Sequence, residues 1–193
     1  MSDKKLLQQF VDSFQRLDDD MVALDGTPLE LIVKREVDEW DSWRGDLDLW
    51  EPKRIDTNPD RLEPLYSRIA GRFPVMYEQL VLSFRWLEVD LQMIRLFANP
   101  PGVNLSGLTE AIFNDPIIAD VLIPAGFVPF AYAPSGNYDA LCFDLNAMTS
   151  QRDCPIIQFE HESILCDLKT GERWQRWESF RDLMTEIIFL NCK

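Results

Sequence analysis

Residues 123–162 read IPAGFVPFAYAPSGNYDALCFDLNAMTSQRDCPIIQFEHE, and this stretch decides the fold. Within it, 127–132, 139–145 and 155–161 are short runs rich in apolar, aromatic and β-branched residues, with turn formers between them. Successive strands of an antiparallel sheet read this way. Three strands are therefore expected here, and the helical periodicity on both sides makes the fold class α+β.

Upstream, Asp115-Pro116 is a cap followed by a first-turn proline and predicts a helix through Leu122; residues 105–113 read as a short helix before it. FPVMYEQLVLSF, at 73–84, places Pro74 at a helix start. Val75 or Met76, with Tyr77, Leu80, Val81 and Phe84, forms an apolar stripe expected to pack on the sheet. Leu62, Leu65, Tyr66 and Ile69 mark a shorter helix stopped by Gly71. Alternation through Val89, Leu91 and Met93 predicts a strand with one solvated face. Downstream, Phe180, Leu183, Met184, Ile187 and Ile188 define a closing helix, with Glu178 expected in its first turn.

At the N-terminus, Leu6, Leu7, Phe10, Val11, Phe14, Leu17 and Met21 recur at helical spacing and predict an amphipathic helix over 4–21. Beyond Asp25-Gly26, Thr27 and Glu30 form a capping-box pattern and Pro28 suits a first helical position, so a second helix is expected to about Trp40. The next segment, EWDSWRGDLDLWE at 39–51, sets Trp40, Trp43 and Trp50 among carboxylates that include Asp41, Asp46 and Asp48. Gly45 and the Asp-Leu alternation predict a loop or short edge strand outside the main core. Two readings of this segment stand open. Its rings and acids form a partner-binding patch, or the rings cover a hydrophobic seam while the acids face water.

The chain's 193 residues, 46% hydrophobic and 27% charged, suit one domain with a full core. No apolar run approaches the roughly 20 residues that span a bilayer. The start, MSDKKLLQQFVDSF, meets charge too early for a signal peptide, so a cytoplasmic location is expected. With 33 acidic and 19 basic residues, the net charge is −14 when the single histidine is neutral. That field repels nucleic acid and anionic lipid and steers a basic partner inward. Acidity that serves only solubility is the alternative. Cys142, Cys154, Cys166 and Cys192 include no close pair, so buried free thiols are expected rather than disulfides or a zinc site.

Chemistry-bearing motifs are few, and neither a cofactor nor a metal is expected. His161 lies between Glu160 and Glu162 at the end of an expected strand, and Leu165 occupies the place of a second zinc-binding histidine. A structural hydrogen bond is the plain reading of His161. Gly102 to Gly107 has the glycine spacing of a phosphate loop, but Leu108 stands where the lysine is required. Asp139, Asp144 and Glu160 lack the alternating spacing of a calcium loop.

Two segments together resemble the SUKH superfamily, which contains a fungal cell-wall-synthesis regulator and many bacterial immunity proteins. Residues 73–84 are similar to its Leu-Pro-x-x-Tyr-x-x-Phe-Leu signature at Pro74 and Tyr77. The later segment resembles its order of Gly-Asp strand, partner strand and His-Glu end, carried by Gly136, Asp139, Phe143, Asp144, Pro155, His161 and Glu162. The resemblance spans about residues 62–190, which leaves 1–61 as an N-terminal helical extension of a single domain, 1–193. It implies an antiparallel sheet flanked by helices and a protein-binding module without catalysis. Bacterial relatives of this kind are cytoplasmic immunity proteins that neutralise a toxin, often a nuclease or deaminase. The expected partner is then a basic toxin domain. Trp40, Asp41, Trp43, Asp46, Asp48 and Trp50, or the turn at Tyr138 and Asp139, are the candidate contacts. A housekeeping adaptor using the same domain is the alternative, and an enzyme using carboxylates near His161 is a remote third.

Overall fold

The computed structural model describes residues 2–14, 21–34, 48–69, 71–134 and 138–191. Helix α1, Asp3–Asp12, buries Leu6, Leu7, Phe10 and Val11 on one face, as the periodicity requires. It is shorter than expected. The buried Ser13 hydroxyl and backbone N–H both donate to the Phe10 carbonyl, at 2.5 and 3.1 Å, which tightens the last turn to 3₁₀-type closure.

Among the described residues 28–34, no helix follows Thr27. Its Oγ1 accepts from the Leu24 N–H at 3.0 Å and closes a turn behind it, so it caps nothing ahead. The chain makes one tight turn, with Leu31 N–H on the Pro28 carbonyl at 2.9 Å, and then enters strand β1, Ile32–Lys34. β1 pairs antiparallel with β2, Asp48–Trp50, with Ile32 opposite Trp50. The β-branched Ile32-Val33 pair gains more from this cross-strand packing than from a helix, and tertiary context overrides the local capping signal. Trp50 is only 1% exposed and belongs to the main core, against the expectation that its segment lies outside it. For this ring, the hydrophobic-seam reading holds. The other expected positions of the second helix beyond residue 34 lie outside the described residues.

β3, Lys53–Arg54, pairs with β4, Phe84–Arg85. Between them, a 3₁₀ turn, Pro59–Leu62, leads into α2, Glu63–Ile69. Helix α3, Val75–Ser83, follows with Pro74 at its N-cap. The alternation after residue 88 is not one strand but a hairpin of β5, Val89–Asp90, and β6, Arg95–Leu96. The Asp90 carboxylate accepts the Gln92 N–H at 2.9 Å and Gln92 takes φ +65°, which turns the chain where a strand was expected to continue.

α4, Ser106–Ile112, and α5, Pro116–Leu122, match the sequence reading. The Asp115 carboxylate accepts from Ile117 N–H and Ile118 N–H, both at 3.0 Å, a cap worth about 1 kcal/mol. Gly126, at φ +86°, makes the turn into the sheet; a Cβ there would meet the Asn146 side chain. The three expected strands follow as β7, Phe127–Tyr132, β8, Ala140–Asp144, and β9, Ile156–Phe159. α6, His161–Asp167, and β10, Arg173–Trp177, had no sequence expectation, nor did the short β3–β4 pair. α7, Phe180–Leu190, closes the chain, capped by Ser179, with Asp182 rather than Glu178 in its first turn.

The main sheet is antiparallel in the order β10-β9-β8-β7-β6-β5. Both faces are covered, which explains why β7 and β8 are nearly continuously apolar. On one face, Phe130 of β7 and Phe143 of β8 stack at 4.2 Å, and Tyr77 of α3 and Phe180 of α7 close over them. α1 joins that layer through Phe10, 5.9 Å from Phe180. On the other face, Ile118, Leu122 and Ile164 from α5 and α6 pack on Phe127, Cys142, Ile157 and Phe159. The α+β class and the flanked antiparallel sheet are thus observed. Cys142 and Cys154 are buried free thiols, whereas Cys166 is free but exposed, against expectation. Among the described residues no helix is long and apolar enough to cross a membrane.

Candidate functional site

β8 begins at Ala140 opposite Phe159, the last residue of β9. The residue before β8 therefore lies against the residues after β9. Asp139 is 8% exposed, and its Oδ1 accepts the His161 backbone N–H at 3.2 Å and lies 3.0 Å from His161 Nδ1. Its Oδ2 accepts from Gln158 Nε2 at 2.8 Å, and Gln158 Oε1 in turn accepts from Arg176 at 2.9 Å. Burial raises the pKa of the Asp139 carboxyl, but the hydrogen bonds from His161 and Gln158 outweigh it, so the group is held below its ordinary value. The carboxylate thereby fastens the start of α6 to the start of β8.

That anchoring sets the residue before it. Tyr138 adopts φ +53°, uncommon for a bulky side chain, and is 55% exposed. Its ring meets Tyr132 edge-on at 5.6 Å. Both rings line a groove of about 740 Å³. The β6–β7 pair, where Arg95 stands opposite Tyr132, contributes one part of the lining, and α5 and α6 contribute Ile117, Leu165 and His161. Ile117 and Leu165 are exposed apolar side chains, and Glu88 and Asp115 add two carboxylates. The groove's electrostatics register on Tyr132: burial raises its hydroxyl pKa most, and the Asp115 and Glu88 charges raise it further. Glu88 and Arg95 approach to 3.8 Å, with both side chains near half exposure.

The sequence-predicted positions divide into several groups. Trp40, Asp41, Trp43, Asp46 and Gly136 lie outside the described residues. Asp48 is exposed on β2, but Trp50 beside it is core and offers no ring to a partner. Tyr138 is an exposed ring, whereas Asp139 is buried and fully engaged, so it positions its neighbours and makes no direct contact surface. Of the motif residues, Pro74 stands at the N-cap position of α3 without a side-chain capping bond, and Tyr77 meets Phe143 at 5.0 Å in the aromatic core. Asp144 caps a 3₁₀ turn, Leu145–Ala147, through the Asn146 N–H at 3.1 Å. Its own N–H bonds the Pro155 carbonyl at 3.0 Å. His161 bonds Asp139 as the plain reading expected, although it begins a helix instead of ending a strand, and Glu162 is exposed beside it.

Asp139, Asp144 and Glu160 serve three separate contacts, the last with Ser163, and no cation site links them. Among the described residues, no three His, Cys, Asp or Glu side chains converge as a metal site would require. Sequence reasoning missed Glu88, Arg95, Asp115, Ile117, Tyr132 and Leu165 as one lining. Only Ile117 carried a signal, since it falls off the buried stripe of Ile118, Ala119 and Leu122 on α5.

No protein-family model and no curated protein matches the chain.

Proposed function

We propose that this chain is a non-catalytic, SUKH-type protein-binding domain that works in the cytoplasm as an immunity protein, neutralising a basic toxin domain of nuclease or deaminase type by occluding it. The observation that carries this reading is the charge: 33 acidic against 19 basic residues, net −14. A field of that sign accelerates encounter with a basic protein and disfavours nucleic acid. The spatial grouping of the motif residues supports the family part. Tyr77 and Phe143 share one aromatic cluster, and Asp139 and His161 share one bonded pair, so residues far apart in sequence do joint structural work.

The test is functional. Proteins captured by this chain in its native cell are expressed singly in a neutral host, with and without the chain. Immunity requires a captured basic protein that arrests growth alone and not in its presence. Capture of housekeeping proteins only, with no protection, would replace immunity by the adaptor role.

A further inference from the structure

The groove beside Tyr138 combines three features. Its side chains include two exposed aliphatics, Ile117 and Leu165. An aromatic ring, Tyr138, is held outward by a left-handed backbone whose next residue is tied down at both carboxylate oxygens. Two carboxylates, Glu88 and Asp115, act on the hydroxyl of Tyr132 between the two tyrosine-bearing segments. A cation whose charge is spread over a flat group meets all three: it stacks on an aromatic face, accepts apolar walls along its stem, and donates to carboxylates in a fork. That group is a guanidinium. The groove already holds one from its own chain, since Arg95 approaches Glu88 at 3.8 Å, beyond hydrogen-bond length and with both side chains near half exposure.

We propose that this groove is a recognition site for an arginine side chain presented by the protein partner, with Tyr138 stacking on the guanidinium, Glu88 and Asp115 receiving its charge, and Arg95 as an internal competitor that the incoming arginine displaces from Glu88. The proposal deepens the binding reading above, because it names the surface and the side chain that a basic partner would use. Asp139 and His161 act here as positioning residues: they fix the backbone that aims Tyr138 and leave the Asp139 charge already satisfied. Lysine is a poorer occupant, since a compact, strongly hydrated ammonium neither stacks flat nor forks to two carboxylates.

The role given to Arg95 has an unusual consequence. Removing a cation from an acidic protein generally strengthens its attraction for basic ligands everywhere by a little, but Arg95→Gln frees Glu88 at one place and strengthens arginine binding there specifically. Tyr138→Ala and Glu88→Gln weaken it. Both of those side chains are exposed, so the substitutions leave the core untouched.

The experiment titrates the full chain with N-acetyl-arginine amide, followed by amide chemical shifts, with N-acetyl-lysine amide and N-acetyl-citrulline amide as probes of equal size. A ligand of this size binds with a dissociation constant on the order of a millimolar when its contacts are favourable. The expected result is saturable shifts at Tyr138, Tyr132 and Ile117 with arginine, several-fold weaker binding with lysine, and none with citrulline. Tyr138→Ala and Glu88→Gln each raise the dissociation constant several-fold, and Arg95→Gln lowers it. Equal response to citrulline, shifts scattered over the acidic surface, no saturation up to about 50 mM, or an unchanged constant in both Tyr138→Ala and Glu88→Gln would overturn the proposal. No toxin enters this titration, so its failure is separable from failure of the immunity reading. A basic partner still bound at full strength by Tyr138→Ala would refute the groove and leave the binding function standing.

Discussion

Replacing Tyr77 by phenylalanine should make the protein more stable. The Tyr77 side chain is fully buried on α3 among the rings of Phe73, Phe143 and Phe180, at 5.0, 5.0 and 5.2 Å, with Phe130 at 5.7 Å. Its hydroxyl has no hydrogen-bond partner among the described residues, and burial alone pushes its pKa far above the usual tyrosine value. A hydroxyl removed from water with no compensating bond costs about 1–3 kcal/mol. Tyr77→Phe deletes that penalty and keeps every ring contact. The vacated space, roughly 10 Å³ at about 24 cal/mol per Å³, returns only about 0.2 kcal/mol. The net gain is about 0.8–2.8 kcal/mol, which for a chain of this size raises Tm by about 2–11 °C. Urea unfolding should show a higher midpoint at unchanged slope. Tyr66→Phe is the internal contrast. The Tyr66 hydroxyl donates to the Glu78 carboxylate, which also receives Arg152 at 2.7 Å, so that variant should lose about 1.5–3 kcal/mol. A loss of 1 kcal/mol or more in Tyr77→Phe would refute the reasoning and place a buried water on the hydroxyl.

Three further outcomes follow from particular contacts. Trp50→Ala should destabilise by about 3–5 kcal/mol, measured by urea unfolding, because β2 anchors the N-terminal strands in the main core; a change below about 1 kcal/mol would detach that segment from the fold. Asp115→Ala should lose about 1 kcal/mol by removing two capping bonds from α5, and Asp115→Asn should recover most of it. For Asp139, the folded pKa lies below the ordinary 3.8, so the unfolded chain binds the proton first as pH falls. Its contribution is complete above the unfolded value and is lost as pH drops through the folded one. The stability gap between the native chain and Asp139→Asn should therefore narrow as pH falls below about 3.8; a gap that widened there would reverse the assignment.

The elements legible in the sequence were those whose signals are local. Asp115-Pro116 forms the cap and first turn of α5 because an Asx side chain reaches the N–H groups two and three residues on. β7 to β9 stood out because both faces are covered and their apolar runs are bounded by turns. Thr27 misled because its hydroxyl had an equally local partner on the other side, Leu24. β1 and β10 went unread because strands this short are held by partners distant in sequence, and Arg173, Trp174, Gln175 and Arg176 are all exposed with no alternation to notice; β2 was expected only as a loop or short edge strand. The groove was illegible for the same reason. Tyr132 lies in β7 and Leu165 in α6, while Glu88, Asp115 and Tyr138 stand just ahead of β5, α5 and β8; they share no spacing, and only topology brings them together. Of the quoted motif residues, Tyr77 and Phe143 lie in the aromatic core and Asp139, Asp144 and His161 tie neighbouring segments together, whereas Glu162 is exposed.

The most direct test of a binding function based on charge is a pull-down from the native cell, with washes stepped from about 0.1 M to about 1 M salt, over which the screening length falls from about 10 Å to 3 Å. A basic protein retained at low salt and released as salt rises is the predicted result. Capture that is indifferent to salt, or that selects acidic and neutral proteins, would contradict it.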